Sequence, residues 1–499
     1  MPTSHKPPLL ADPGFAHVSE DDWESAAEGA LRGALLSSLH SALLGGIETA
    51  PLYSPHRYST EGDPAGVPGA APYTRGAAAT SGYGGWEVRQ IHDVTLPGTP
   101  DAIATDTTSG VDAVTVARGW DAEGDRAALA AGIGDAAGAG VTIHLQSGTS
   151  PAHAAALLDV LEQHGVDADR MKSWLGLDPI AAVASGWFGA DAGNSTVVVA
   201  EMCDAARSAA EFTQRSPQAV PFEADGSVFA DAGASDATEV AAMLATGVAW
   251  LRAICDNPDG PGLDPGAGAR LLGFTLSAGP DPFLVTAKCR ALRMCWTRVL
   301  GTCGVDGTGG EGLPMHLHAV TSTAMLSALD PWVNMLRATT ATFGAANGGV
   351  DAITVRPFDA VTAGAASSGL GWRVAANTQL ILRHESRIGS VIDPAGGSWY
   401  LEDLTRKVAH AAWDRFREIE AAGGISAAVA SGELDALIAD ERAQRDERIA
   451  AGDQVLVGVT DFVDSAEASA HAGASAATLD LGLGVHRWAA PYESGSAGP

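Results

Sequence analysis

Short β-branched runs alternate with alanine-rich amphipathic runs from about residue 86 to residue 358. Eight of the short runs predict strands: WEVRQI (86–91), VDAVTVA (111–117), VTIHLQ (141–146), SWLGLD (173–178), AVPFEADGSVF (219–229), LLGFTLS (271–277), MHLHAVTS (315–322) and VDAITVRPF (350–358). A ninth β-like run, STVVVAE (195–201), flows into MCDAARSAAEF and also reads as the start of a helix. The segments between carry helix starts. Ser150, Asp281 and Asp330 each stand as an N-cap before a proline at the first helical position, and Gly304 can end the second of these helices. In the third, Val333, Leu336, Thr340 and Phe343 share one face at helical spacing. Eight strands alternating with helices over roughly 270 residues predict an α/β fold of the (β/α)8 TIM-barrel type. A doubly wound open sheet competes, but the glycine fingerprint that follows its first strand is missing here.

The flanks have another rhythm. Residues 1–70 read as an extension, in which a helix-like run, EDDWESAAEGALRGALLSSLHSALLG, precedes a Pro/Gly-rich segment. After DPAGGSWYLEDLT (393–405), two runs with charged outer faces predict helices that wrap a finished domain. The expected division is an extension at 1–70 that serves as a subunit interface, a barrel at 71–400 and a helical segment at 401–499.

Charge narrows the partners. The chain carries 60 acidic against 30 basic residues, a formal net charge of −30, which repels nucleic acid and anionic membrane surfaces. Five cysteines without a CxxC pair argue against a disulfide framework and for a reducing compartment. The N-terminus lacks a basic-then-apolar signal pattern, and no uncharged run reads as apolar enough to span a bilayer. A cytoplasmic location is expected.

Candidate chemistry is sparse. His316 and His318 lie two apart on a predicted strand and therefore point the same way, but no acidic or cysteine partner stands at ligand spacing, which favours ordinary hydrogen-bonded histidines over a metal site. Ser147 and Thr149 follow a strand at the end where barrels place their chemistry, a weak signal in a loop. GTGGEG (307–312) lacks the lysine of a phosphate loop and reads as a connection. Arg75, Arg89 and Gln90 form the best polar group. Guanidiniums suit phosphate or carboxylate, yet Arg89 on a strand equally suits a buried carboxylate inside the barrel, and the residues alone leave both readings open.

PYTRG, WEVRQ, the block from His318 to Asp359, NTQLILRHES and DPAGGSWYLEDLT together resemble the cobalamin-dependent methylmalonyl-CoA mutases, over about residues 20 to 490. The resemblance implies a (β/α)8 barrel with coenzyme A threaded down its axis. It also implies losses. Where catalytic chains carry a tyrosine after the RQ of the first strand, this chain has Ile91; where they carry a histidine near the fifth strand, it has Val228, Phe229 and Ala230. In place of their Gln-Asn-Asp it has Gly176 and Leu177 before Asp178, and no arginine follows before Trp187. The Asp-x-His-x-x-Gly signature of the family's C-terminal cobalamin domain is not found. The resemblance therefore points to the small, non-catalytic subunit of a heterodimeric mutase, partnered by a large catalytic subunit. Adenosylcobalamin would be bound in the complex and not by this chain alone. Arg75, Arg89 and Gln90 become vestigial candidates rather than ligand contacts. Two alternatives are an acyl-CoA-binding barrel of a split mutase, whose cobalamin comes on a separate protein, and a free-standing scaffold.

Overall fold

The computed structural model describes residues 18–58, 65–186, 195–258, 260–305, 313, 315–363, 369–464 and 484–493. Eight parallel strands in them share one sheet: β1 Glu87–His92, β2 Ala113–Val116, β3 Thr142–Leu145, β4 Trp174–Leu177, β5 Val220–Asp225, β6 Leu272–Ala278, β7 His316–Thr321 and β8 Ala352–Thr354. Their spatial order is β3-β2-β1-β8-β7-β6-β5-β4. β8 thus returns to β1, with Thr354 opposite Arg89, as a (β/α)8 barrel requires.

The wall closes between β3 and β4 by a different device from the ladders elsewhere. The amides of Gly148 and Thr149 both donate to the Gly176 carbonyl, at 2.9 and 3.0 Å, and Thr149 bridges Leu177. Lower down, the Trp174 amide donates 2.9 Å to Nδ1 of His144, so an imidazole stands where a carbonyl would be. Gly176 makes the approach possible. Its φ is +66°, and a Cβ there would stand 2.5 Å from the Gln146 carbonyl oxygen. The β4–β5 register shifts at this point.

Several runs are longer than the strands they contain. The fifth stops at Asp225, because Ser227–Ala232 is a helix. STVVVAE opens the helix Ser195–Arg215. GTGGEG and Trp187 lie outside the described residues. The caps follow the sequence in part. Asp281 accepts from the amides of Phe283 and Leu284 at 3.0 and 3.1 Å ahead of the helix Pro282–Thr302, whereas Asp330 makes no capping bond to the helix Pro331–Asn347.

That last helix turns small residues inward. Ala338, Ala341 and Ala345 are buried, while Leu336, Trp332 and Phe343 are exposed. The reason is proximity: a Cβ on Gly344 would come within 2.7 Å of the Pro282 carbonyl oxygen of the neighbouring helix, so nothing larger fits between them.

The helices Trp399–Ala421 and Glu433–Ala450 wrap the barrel as expected. The buried Glu441 accepts from the Ser235 amide at 2.7 Å and from Thr238 Oγ1 at 2.8 Å, which ties the second of them to the start of the helix Asp236–Leu251. The stretch Asp236–Asp256 is long and apolar enough to cross a membrane by length and composition, although it carries charges such as Glu239 and Arg252, and 78% of its apolar window is buried in the protein. In the extension the helix covers only Glu20–Ala30, since Arg32 and Gly33 turn to positive φ. A short hairpin, Ser41–Ala42 with Glu48–Thr49, then follows, and Lys407 Nζ holds the Glu48 carbonyl at 2.7 Å.

Candidate functional site in the barrel interior

Period-two alternation sends Arg89 and Ile91, Thr115, Trp174, Glu223 and Asp225, Thr275, His318, Thr354 and Arg356 toward the axis. Trp174 occupies the middle. The Arg89 guanidinium lies 4.6 Å from its ring centroid, a cation–π arrangement. The rings of His144, His316 and His318 meet it edge-on at 6.4, 6.4 and 6.1 Å. Across the barrel Gly273 provides the room, for a Cβ there would stand 2.6 Å from the indole.

Below the indole, Glu87 Oε1 receives Arg89 Nε at 2.5 Å and His144 Nε2 at 3.0 Å. Burial pushes the Glu87 carboxyl up, but Arg89 and His144 outweigh it and hold the group well below the usual carboxylate range. Burial and the nearby Arg89 charge lower His144 to about 4. It is therefore neutral at pH 7, with Nε2–H donating to Glu87 and Nδ1 accepting from Trp174.

Above it runs a chain of neutral partners. Thr275 Oγ1 donates to Glu223 Oε1 at 2.5 Å, His318 Nδ1 lies 3.0 Å from Thr275 Oγ1, and His318 Nε2 lies 2.9 Å from Thr354 Oγ1. With the threonine proton committed to Glu223, His318 donates from Nδ1. Burial, with Arg89 next, keeps its pKa well below the ordinary value. Burial and the charge of Asp225 push Glu223 up to about 8.

At the C-terminal mouth, Asp225 accepts from Ser147 Oγ at 2.8 Å and from the Ser227 amide and hydroxyl at 2.8 and 2.6 Å. Asp178 accepts from the amides of Asp225 and Ala181 at 2.9 and 3.0 Å, and burial raises it to about 8. The free space left among these groups is about 40 Å³. The N-terminal mouth is wider, about 760 Å³, and is lined by Lys172, Arg270, His316 and Asp351 with Trp174 behind them.

The structure thus brings Arg89, Ile91, Ser147 and His318 together and sends the other candidates elsewhere. Arg75 is outside the barrel, where its Nε meets Asp393 Oδ2 at 2.9 Å; the buried Arg290 shares that carboxylate at 3.4 Å. Gln90 points outward, donating to the Trp372 carbonyl at 2.9 Å. Thr149 gives its hydroxyl to the Leu175 carbonyl at the seam, at 2.7 Å. His316 and His318 do point the same way, at different depths beside Trp174. The axial route for coenzyme A that the resemblance implies is filled by Trp174 and its neighbours. Phe229 is buried in the core and Val228 packs against it. Sequence reading missed Trp174, Glu223, Asp225 and Arg356. The signal was present in PFEAD, where two acids two apart on a strand must share a face.

Comparison with known proteins places these features in a family context. The profile described as methylmalonyl-CoA mutase matches residues 139–475. The chain is 37% identical to the methylmalonyl-CoA mutase small subunit of Streptomyces virginiae, over 90% of this chain and 71% of that one. It is 32% identical to the small subunit of Propionibacterium freudenreichii subsp. shermanii, over 90% of this chain and 69% of the relative. A methylmalonyl-CoA mutase of Cereibacter sphaeroides is 30% identical, over 89% of this chain and 64% of its own length.

Proposed function

Because the chain belongs to the methylmalonyl-CoA mutase family, we propose that it serves as the small, supporting subunit of a two-chain mutase whose turnover is carried by a large partner subunit. The packed axis is the observation that most supports this reading. A thioester drawn through the barrel would have to displace Trp174, which Arg89 and three histidines hold in place. The complex would interconvert methylmalonyl-CoA and succinyl-CoA with adenosylcobalamin. The described residues do not fit that cofactor: the space at the C-terminal mouth is about 40 Å³ and its walls are charged, so no cobalamin step is assigned to this chain.

The interface with the partner is assigned to the extension within 1–70 and to the outward apolar side chains Leu336, Phe343 and Phe283, ahead of the barrel at 71–400 and the wrapping segment at 401–499. Co-expression with a large mutase subunit should give a stoichiometric complex that isomerises methylmalonyl-CoA when adenosylcobalamin is added. The isolated chain should give no turnover, and turnover by it alone would overturn the reading.

The wide N-terminal mouth favours a second reading, in which the barrel takes up an acyl-CoA for a separate cobalamin protein. Calorimetry of the chain with methylmalonyl-CoA separates the two, and the first reading expects no heat of binding.

A further inference from the structure

We propose that the upper barrel interior binds a compact monovalent anion, a one- or two-carbon carboxylate or a halide, between the guanidiniums of Arg356 and Arg89. The inference stands apart from the subunit assignment, because it rests on unspent hydrogen-bond donors.

Arg356 follows β8 and lines the interior space. Its Nε is buried without a hydrogen-bond partner. Asp231 is an acid whose charge Arg356 feels, but that carboxylate is engaged by Ser322 Oγ at 3.2 Å and the amides of Thr323 and Ala324 at 3.1 and 3.4 Å. Arg89 faces the same space from the neighbouring strand. It spends Nε on Glu87 and its flat face on Trp174, and among the described residues its terminal amino groups donate no hydrogen bond. Thr115, 8% exposed, adds a third unspent donor: its Oγ1 is buried without a partner and the residue lines the same cavity.

The acids on the opposite wall do not answer these donors. Asp225 already accepts from Ser147 and twice from Ser227, and Glu223 is bonded by Thr275. A buried guanidinium N–H without an acceptor is costly, and a small anion would supply a charge-assisted bond to Arg356 Nε. The space of about 40 Å³ exceeds the roughly 10–15 Å³ that one water needs. Water is therefore the rival occupant, and it would satisfy the donors without adding charge.

The test uses the full chain. Crystals grown in sodium bromide should show an anomalous peak within hydrogen-bond reach of Arg356 Nε and Thr115 Oγ1. In solution, sodium formate at constant ionic strength should raise the Tm saturably, and Arg356→Gln should weaken that apparent affinity about tenfold or more. Should that variant fail to fold, the bromide crystal of the unaltered chain decides alone. Water density without an anomalous peak, or a formate effect that does not saturate and is equal in both proteins, would overturn the proposal.

Discussion

The Arg89 guanidinium stands 4.6 Å from the centroid of the Trp174 ring, and Gly273 leaves the space that the ring fills. The plug therefore depends on a large residue on β4 and an absent side chain on β6. Trp174→Ala should cost about 3–5 kcal/mol by cavity formation, and Gly273→Ala about 1–3 kcal/mol by overpacking. Because the added methyl collides with the indole itself, the double variant should lose less than the sum of the two. Urea denaturation of all four proteins measures that coupling, and strict additivity would show that the two residues do not share the space.

Glu223 carries a pH prediction. Its pKa rises from 4.5 in the unfolded chain to about 8 in the fold. The folded state keeps a proton that the unfolded state releases, so this group's stabilisation is full below about pH 4.5 and is lost as pH rises to about 8. Glu223→Gln keeps an acceptor for Thr275 and cannot ionise. Its urea midpoint should fall less than that of the unaltered chain between about pH 5 and about pH 8, and parallel profiles would rule the assignment out.

His144 acts with the opposite sign. Its pKa falls from 6.5 to about 4 on folding, so the unfolded chain takes up a proton first and stability is lost as pH drops through that window. His144→Ala leaves the Trp174 amide without its acceptor and should cost about 1–3 kcal/mol at neutral pH. His144→Gln, which can both accept from Trp174 and donate to Glu87, should recover much of that loss and show a weaker acid dependence in the same denaturation series.

The outward face of the helix Pro331–Asn347 predicts a binding phenotype without a folding one. Leu336 is 67% exposed and Phe343 38%, so replacing each with Asp should change stability by about 0.5 kcal/mol or less. The paired variant Leu336→Asp/Phe343→Asp should retain less large subunit on affinity purification than the unaltered chain. Equal retention would move the interface away from this helix.

That helix also marks how far the sequence could be read. Helical spacing identified a face containing Leu336, Thr340 and Phe343, but spacing carries no information on direction. Direction was set by the close approach of Gly344 to Pro282, a contact between segments far apart in the chain. The strands were legible because they are short apolar or β-branched runs bounded by turn residues, and of the two readings left open for Arg89 its ion pair with Glu87 matches the partner of an internal carboxylate. Gly176 was read as the loss of a working side chain. Its positive φ and its fit against Gln146 show a second reason for glycine there, visible only once β3 and β4 lie side by side. Arg75 and Gln90 were grouped with Arg89 by proximity in sequence, but Gln90 faces away because neighbours on a strand alternate.

Seven junctions of the barrel wall are held by ladders between main chains, whereas the β3–β4 junction relies on the Gly148–Thr149 loop, the Thr149 hydroxyl and one imidazole. Local opening there breaks no continuous main-chain ladder. Breathing of the wall should therefore begin at this junction, with the Trp174 amide exchanging for deuterium ahead of the amides in β6 and β7. The barrel has a preferred line along which it comes apart, and acid reaches that line first through His144.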